Sequence, residues 1–402
     1  MSTVRRGRDF LMVPGPTPVP DRILRAMHRQ PVDFSGPDFV ALCDRLFEEV
    51  KAVFETEHTV FLYTANGHGA WEAALANTLS PGDAVLIPEV GQFSEGWRDM
   101  AQAMGVECRT IPNDWRRPID PNKVEEALRA DQTGAIKAVL MVHTDTAASV
   151  TSDVAAVRRA IDASGRDPLF MVDVIASLGT TDYRMDSWGV DVTVAASQKG
   201  LMLPPGLAMV AANEKAKRVG LEATTPRRYW DWIERQKGQH YQRFCGTAPE
   251  LMIFGLDEAL AMLREETMAG AIARHGRLAR AVRAAVEAWS EGGVLSFNAL
   301  EPESRADSVT TVLVPEGFDP ESIRRLARES FGVSISGGLG RFQGKAFRIG
   351  HMGDINEPMI LGGLATLETA MRRLGVSIGQ GALDAAMESL AQDPLESVRA
   401  AE

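Results

Sequence analysis

Apolar residues fall into two rhythms along this chain. Short apolar runs bounded by polar or glycine-containing turns, at 59–63, 84–88, 136–142, 169–172, 192–196 and 207–212, predict buried strands. Between them apolar positions recur at helical spacing. Phe39, Leu42, Leu46, Val50 and Val53 share one face of a helix predicted over 38–54, and similar patterns predict helices at 70–79, 95–104 and 152–163. Ser152 and Asp153 are suited to cap the last of these. Strands alternating with helices over this length predict an α/β fold whose mostly parallel sheet is covered by helices on both faces.

Beyond Ala248 the rhythm changes. Long helical patterns at 249–265 and 269–289 precede a strand at 308–314, a helix at 320–330 and short strands at 333–336 and 346–350. Helices at 357–374 and 382–391 and a charged tail close the chain, which predicts a smaller C-terminal α+β domain. The expected division is an N-terminal arm and active-site loop at 1–20, a large domain at 21–248 and a small one at 249–402. Within the arm, VPGPTPVP at 13–20 carries four prolines and reads as a rigid extended loop, lying over a site or packed on a neighbour. The glycine-rich GGLGRFQG at 337–344 has no helix after it, so a flexible hairpin or lid is expected rather than a nucleotide loop.

Charge and cysteine content narrow the function. A net charge of −11 argues against nucleic-acid or acidic-membrane partners, because such binding starts from clustered positive charge. Cys43, Cys108 and Cys245 are scattered singly, so neither a disulfide framework nor a CxxC metal site is available. The apolar run Phe10 to Val13 is too short for a signal-peptide core, and no stretch approaches a membrane span. A reducing, cytoplasmic location is expected.

Two charged residues then stand out by position. Asp173 closes the strand at 169–172, and Lys199 follows the strand at 192–196 just past Ser197 and Gln198. Open α/β sheets present side chains to a ligand crevice at such strand ends. An amine and a carboxylate there suit pyridoxal phosphate: a lysine forms a Schiff base with its aldehyde, and an acid keeps its pyridine nitrogen protonated. A solvated, idle Asp and Lys are the alternative on these residues alone. The turn Thr64-Ala65-Asn66-Gly67-His68-Gly69 leads from a strand into a helix, where unpaired N–H groups and the helix dipole favour an anion. The cofactor phosphate is assigned there, with a simple N-cap by Asn66 as the alternative.

With Asp173, Ser197-Gln198-Lys199, the GPTPVP loop and Arg348 of FRIGHMG in place, the chain resembles fold-type I pyridoxal-phosphate enzymes, specifically class V aminotransferases of the alanine/serine(aspartate)–glyoxylate type. The likeness runs from Pro14 to about Leu374, and SQKGLMLPPGLA is its most specific motif. It implies Lys199 as the Schiff-base lysine and proton carrier, and Asp173 as partner of the pyridine nitrogen. It further implies Phe93 stacked on the ring, Asn66, Gly67, His68 and Gln198 at the phosphate, and Thr146 near the ring hydroxyl. Thr247 would reach the phosphate of a neighbouring subunit in a homodimer or homotetramer, while Arg348 and Gly15 would bind substrate. The implied reaction moves an amino group from serine, alanine or aspartate to glyoxylate or a similar 2-oxo acid. A pyridoxamine–pyruvate aminotransferase is the alternative, supported by the Asp145-Thr146 pair but not by Asn66 or Leu339, where that enzyme would carry an acid and an arginine. Arg341 could reach a second carboxylate and admit aspartate, or be a solvated surface arginine. A desulfurase would need a mobile cysteine, for which only Cys245 is placed.

Overall fold

The computed structural model describes residues 7–392; the charged tail from 393 onward and residues 1–6 lie outside the described part. A seven-stranded sheet forms the centre, in the spatial order Thr59–Ala65, Gly206–Ala212, Val192–Ala196, Leu169–Asp173, Ile136–Val142, Ala84–Pro88 and Glu107–Ile111. The strands Leu169–Asp173 and Val192–Ala196 are buried at every position, as continuous apolar runs flanked by helices should be. Neighbours pair in parallel except Gly206–Ala212, which runs antiparallel to both strands beside it. The mostly parallel sheet expected from the alternation is present, with this one strand reversed. Only residues 197–205 separate Val192–Ala196 from Gly206–Ala212, too few for the crossover a parallel return requires.

The edge strand Glu107–Ile111 and the helix Pro121–Ala130 have no counterpart in the hydrophobic pattern. The strand is largely exposed and reads ECRTI, so it lacks the apolar run that marks its neighbours. The pattern predicted over 38–54 is two helices, Pro37–Glu49 and Lys51–Phe54, with Val50 between them. Helix Val154–Ala163 is capped by Asp153, whose carboxylate accepts from the Ala156 N–H at 2.8 Å.

A second sheet of five strands has the order Phe10–Met12, Val333–Gly337, Ala346–Gly350, Val309–Leu313 and Ser296–Phe297. The N-terminal strand Phe10–Met12 joins it in parallel beside Val333–Gly337, with Met12 opposite Ile335. Two cores follow. One surrounds the large sheet and extends to Ala271 along the helix Met268–Ser290; the other contains Met12, then begins at Leu278 on that helix and reaches Ala386. The glycine-rich segment 337–344 is docked rather than loose: Phe342 packs edge-on to the buried Trp115 ring, and Arg341 lies 4.3 Å over it.

Candidate active site

The carboxyl ends of the central strands and the proline-rich arm enclose a cavity of about 290 Å³. Its wall holds Gly15, Pro16, Asn66, Gly67, His68, Trp71, Phe93, Thr146, Asp173, Gln198 and Lys199. Nine of the eleven residues singled out in the sequence are thereby brought together. Arg348 and Thr247 are not on this wall. Arg348 lies behind Thr146, and Thr247 is exposed in the segment before the helix Glu250–Glu266.

Asp173 and Lys199 both line the cavity, at the end of one strand and just past the end of the strand beside it. Asp173, 4% exposed, accepts from the Ile175 N–H at 2.7 Å and from the Trp71 indole N–H at 2.8 Å. Burial pushes its carboxyl up to about 7, against the pull of these two donors. The Lys199 ammonium donates to the Pro14 carbonyl, and its side chain passes so close to Gly15 that a Cβ there would lie 2.6 Å from Cδ, Cε and Nζ. Gly15 has φ +105°, so a glycine is demanded both by conformation and by space. Burial, with Arg348 adding to it, lowers the lysine to about 8 against the opposing pull of Asp173 and Asp145.

The arm lies over this site as well as beside it. Thr17 donates its N–H to the Gln198 carbonyl at 3.2 Å and its hydroxyl to the Lys199 carbonyl at 3.2 Å. Its four prolines supply no N–H donors, so the arm is held by Thr17 and by carbonyls such as that of Pro14.

At the turn into the helix Gly67–Thr78, the Asn66 side chain accepts from the N–H groups of His68 at 3.1 Å and Gly69 at 3.4 Å. Asn66 therefore caps this helix, while Asn66, Gly67 and His68 still line the cavity. The Gln198 side-chain oxygen is buried without a hydrogen-bond partner at the same wall. An amide that turns over would present N–H donors there instead.

Asp145 was not singled out by the sequence as a site residue. Fully buried, it accepts from the N–H groups of Phe93 at 2.8 Å, Ala147 at 2.8 Å and Ala148 at 3.2 Å. It thus fixes the start of the helix Gln92–Ala103, which carries Phe93, and the turn containing Thr146. A Cβ at Gly91 would stand 2.0 Å from the Asp145 carboxyl carbon, so the approach requires glycine. Burial raises the Asp145 carboxyl, and Arg348 pulls it back.

Arg348, on the strand Ala346–Gly350, donates to the Thr146 carbonyl at 2.9 Å and the Gly337 carbonyl at 2.7 Å. These bonds commit two of a guanidinium's five N–H groups and hold its plane. Arg341 is an exposed surface arginine, as one of the two expectations had it, and it lies off the cavity wall. It pairs with Glu95 at 2.8 Å and donates to the Asn113 carbonyl at 3.2 Å. Cys245 is exposed and off the cavity wall.

Trp71 was also missed. It sits one helical turn past Gly67 and reads as a core aromatic in the sequence; only the folded strand order brings Asp173 to its indole.

An amine and a carboxylate facing one apolar-walled cavity, with a helix N-terminus alongside and an arginine behind, make up the site of an aminotransferase. The Aminotransferase class-V family model matches residues 11–342. The serine–glyoxylate aminotransferase of Methylorubrum extorquens is 43% identical over 98% of this chain and 99% of its own length. The L-aspartate–glyoxylate aminotransferase of Paracoccus denitrificans is 41% identical over 92% and 93%. The crystal structure of pyridoxamine–pyruvate aminotransferase from Mesorhizobium loti superposes with a TM-score of 0.87 at 27% identity, covering 96% of this chain and 98% of that one. The chain belongs to the class V aminotransferases and has the fold-type I architecture of that family.

Proposed function

We propose that this aminotransferase uses pyridoxal 5′-phosphate to move an amino group from serine, alanine or aspartate to glyoxylate or a similar 2-oxo acid. The observation that carries the reading is Lys199 and Asp173 converging on one cavity. The residues present fit the cofactor: an amine, a buried acid and the Phe93 ring line one cavity, and a Gln198 side-chain oxygen without a partner lines it together with the capped helix start. When bound, the cofactor serves as an electron sink for the charge that develops at the substrate Cα.

Lys199 Nζ carries the Cα proton. An amine held near neutral basicity both takes and returns a proton at low cost, and burial brings Lys199 to about 8. With the cofactor in this cavity, the Asp173 carboxylate would hold the proton of its ring nitrogen and the Phe93 side chain would stack on its ring. Arg348 receives the α-carboxylate shared by donor and acceptor, because one pocket must serve both in turn. Asp145 keeps Phe93 and Thr146 in position for these roles.

A homodimer in which Thr247 reaches the neighbour's phosphate, and a cytoplasmic location, belong to this reading. Two domains divide within the helix Met268–Ser290 on the two cores, with the N-terminal strand assigned to the small domain.

Screening serine, alanine, aspartate and pyridoxamine as donors against glyoxylate and pyruvate tests the proposal. Serine, alanine or aspartate with glyoxylate should give the fastest pairs. If pyridoxamine with pyruvate outperforms them, the enzyme acts on the vitamer and this reading is wrong.

A further inference from the structure

We propose that Trp71 is a positioning residue that acts through Asp173, its indole N–H fixing the carboxylate and favouring its ionised form. The inference rests on the reading that Asp173 faces the cofactor's ring nitrogen. Asp173 ends a central strand, and both its oxygens are engaged: the Ile175 N–H holds Oδ1 and Trp71 Nε1 holds Oδ2. The Ile175 donor is backbone and is lost only on substitution by proline. Trp71 is the single side chain that donates to this carboxylate among the described residues.

Trp71 is itself rigidly held. It is 1% exposed and stacks on Trp97 at 5.9 Å and 13°, with the His68 ring 4.6 Å away and the Phe93 ring edge-on at 6.3 Å. An indole fixed in this way offers its N–H in one direction, so the carboxylate plane is set before any ligand arrives. Hydrogen bonds to the charged form of a buried acid keep it charged, and an acid left protonated could not balance a protonated ring nitrogen. The charged groups around Asp173 are Lys199, which favours ionisation, and Asp145, which opposes it; Arg348 stands against Lys199, and His68 against Trp71.

The test is binding of 4′-deoxypyridoxine phosphate to the full-length apoprotein across pH. This probe has the ring nitrogen and phosphate but no aldehyde, so linkage to Lys199 plays no part. Trp71→Phe should bind it roughly tenfold more weakly at neutral pH, and the acid limb of its binding curve should rise by about one pH unit. Adding Trp71→Phe to Asp173→Asn should have no further effect. Trp97→Phe should leave the acid limb in place, since its buried indole nitrogen has no partner to lose. Should Trp71→Phe not fold, β-(3-benzothienyl)alanine at position 71 keeps the indole shape and removes only the donor. A curve that superposes on the wild type, or an effect undiminished beside Asp173→Asn, would overturn the inference. Wild-type protein that binds neither this probe nor pyridoxal phosphate would overturn instead the reading beneath it.

Discussion

Lys199→Ala removes the one amine on the cavity wall. The protein incubated with pyridoxal phosphate and borohydride should carry its label on the peptide containing Lys199, and the alanine variant should carry none there. A label elsewhere would sink the assignment. Arg348→Ala removes a guanidinium whose plane is set by the Thr146 and Gly337 carbonyls. Losing a hydrogen-bonded charge contact should cut kcat/KM for both half-reactions by roughly a hundredfold, read by varying the amino acid and the 2-oxo acid separately. A loss confined to one of the two would show that the substrates do not share this contact. Asp145 stood out in the chain only as half of the Asp145-Thr146 pair, and neither its role nor that of Trp71 could be read there. Each acts through partners 52 to 102 positions away, and sequence spacing carries no information about contacts closed by sheet order.

At the level of elements, the turn at 64–69 offers a clean measurement. Asn66→Ala should destabilise the apoprotein by about 1 kcal/mol through loss of the cap, whereas Asn66→Asp should retain it. Thermal melts of both variants decide this; equal melting would mean the cap contributes nothing. Apolar strands were legible because burial on both faces writes an unbroken run, as at Ala84–Pro88. The edge strand Glu107–Ile111 was not, since none of its positions is buried. Direction was also hidden: hydrophobic runs are alike in either sense, and only the short connection before Gly206–Ala212 betrays its reversal. The hairpin at 337–344 looked loose because glycines dominate it, whereas its anchor, Trp115, lies more than 200 residues earlier.

For the molecule as a whole, three buried histidines set an acid limit. Burial lowers His143 to about 4 and His275 and His351 to about 3. Each is neutral in the fold, and the unfolded chain takes up a proton near pH 6.5. Stability is therefore full above pH 6.5 and falls as pH drops toward the folded values. At pH 5 the loss should be about 2 kcal/mol for each of the two most perturbed. Denaturation curves at pH 5 and 7 check the sign; greater stability at pH 5 would contradict it. Sedimentation should give a mass near twice 43.7 kDa or a multiple of it, and a fully active monomer would refute assembly in trans. The path of the arm has one more consequence. Met12 is stitched into the small sheet opposite Ile335, and two residues later Pro14 holds the Lys199 ammonium. So short a tether works like a taut string, and the small sheet cannot swing without tugging on the lysine. Engaging that amine should accordingly alter amide exchange along Val333–Gly337, a signal of chemistry read at a distance on the outer rim of the molecule.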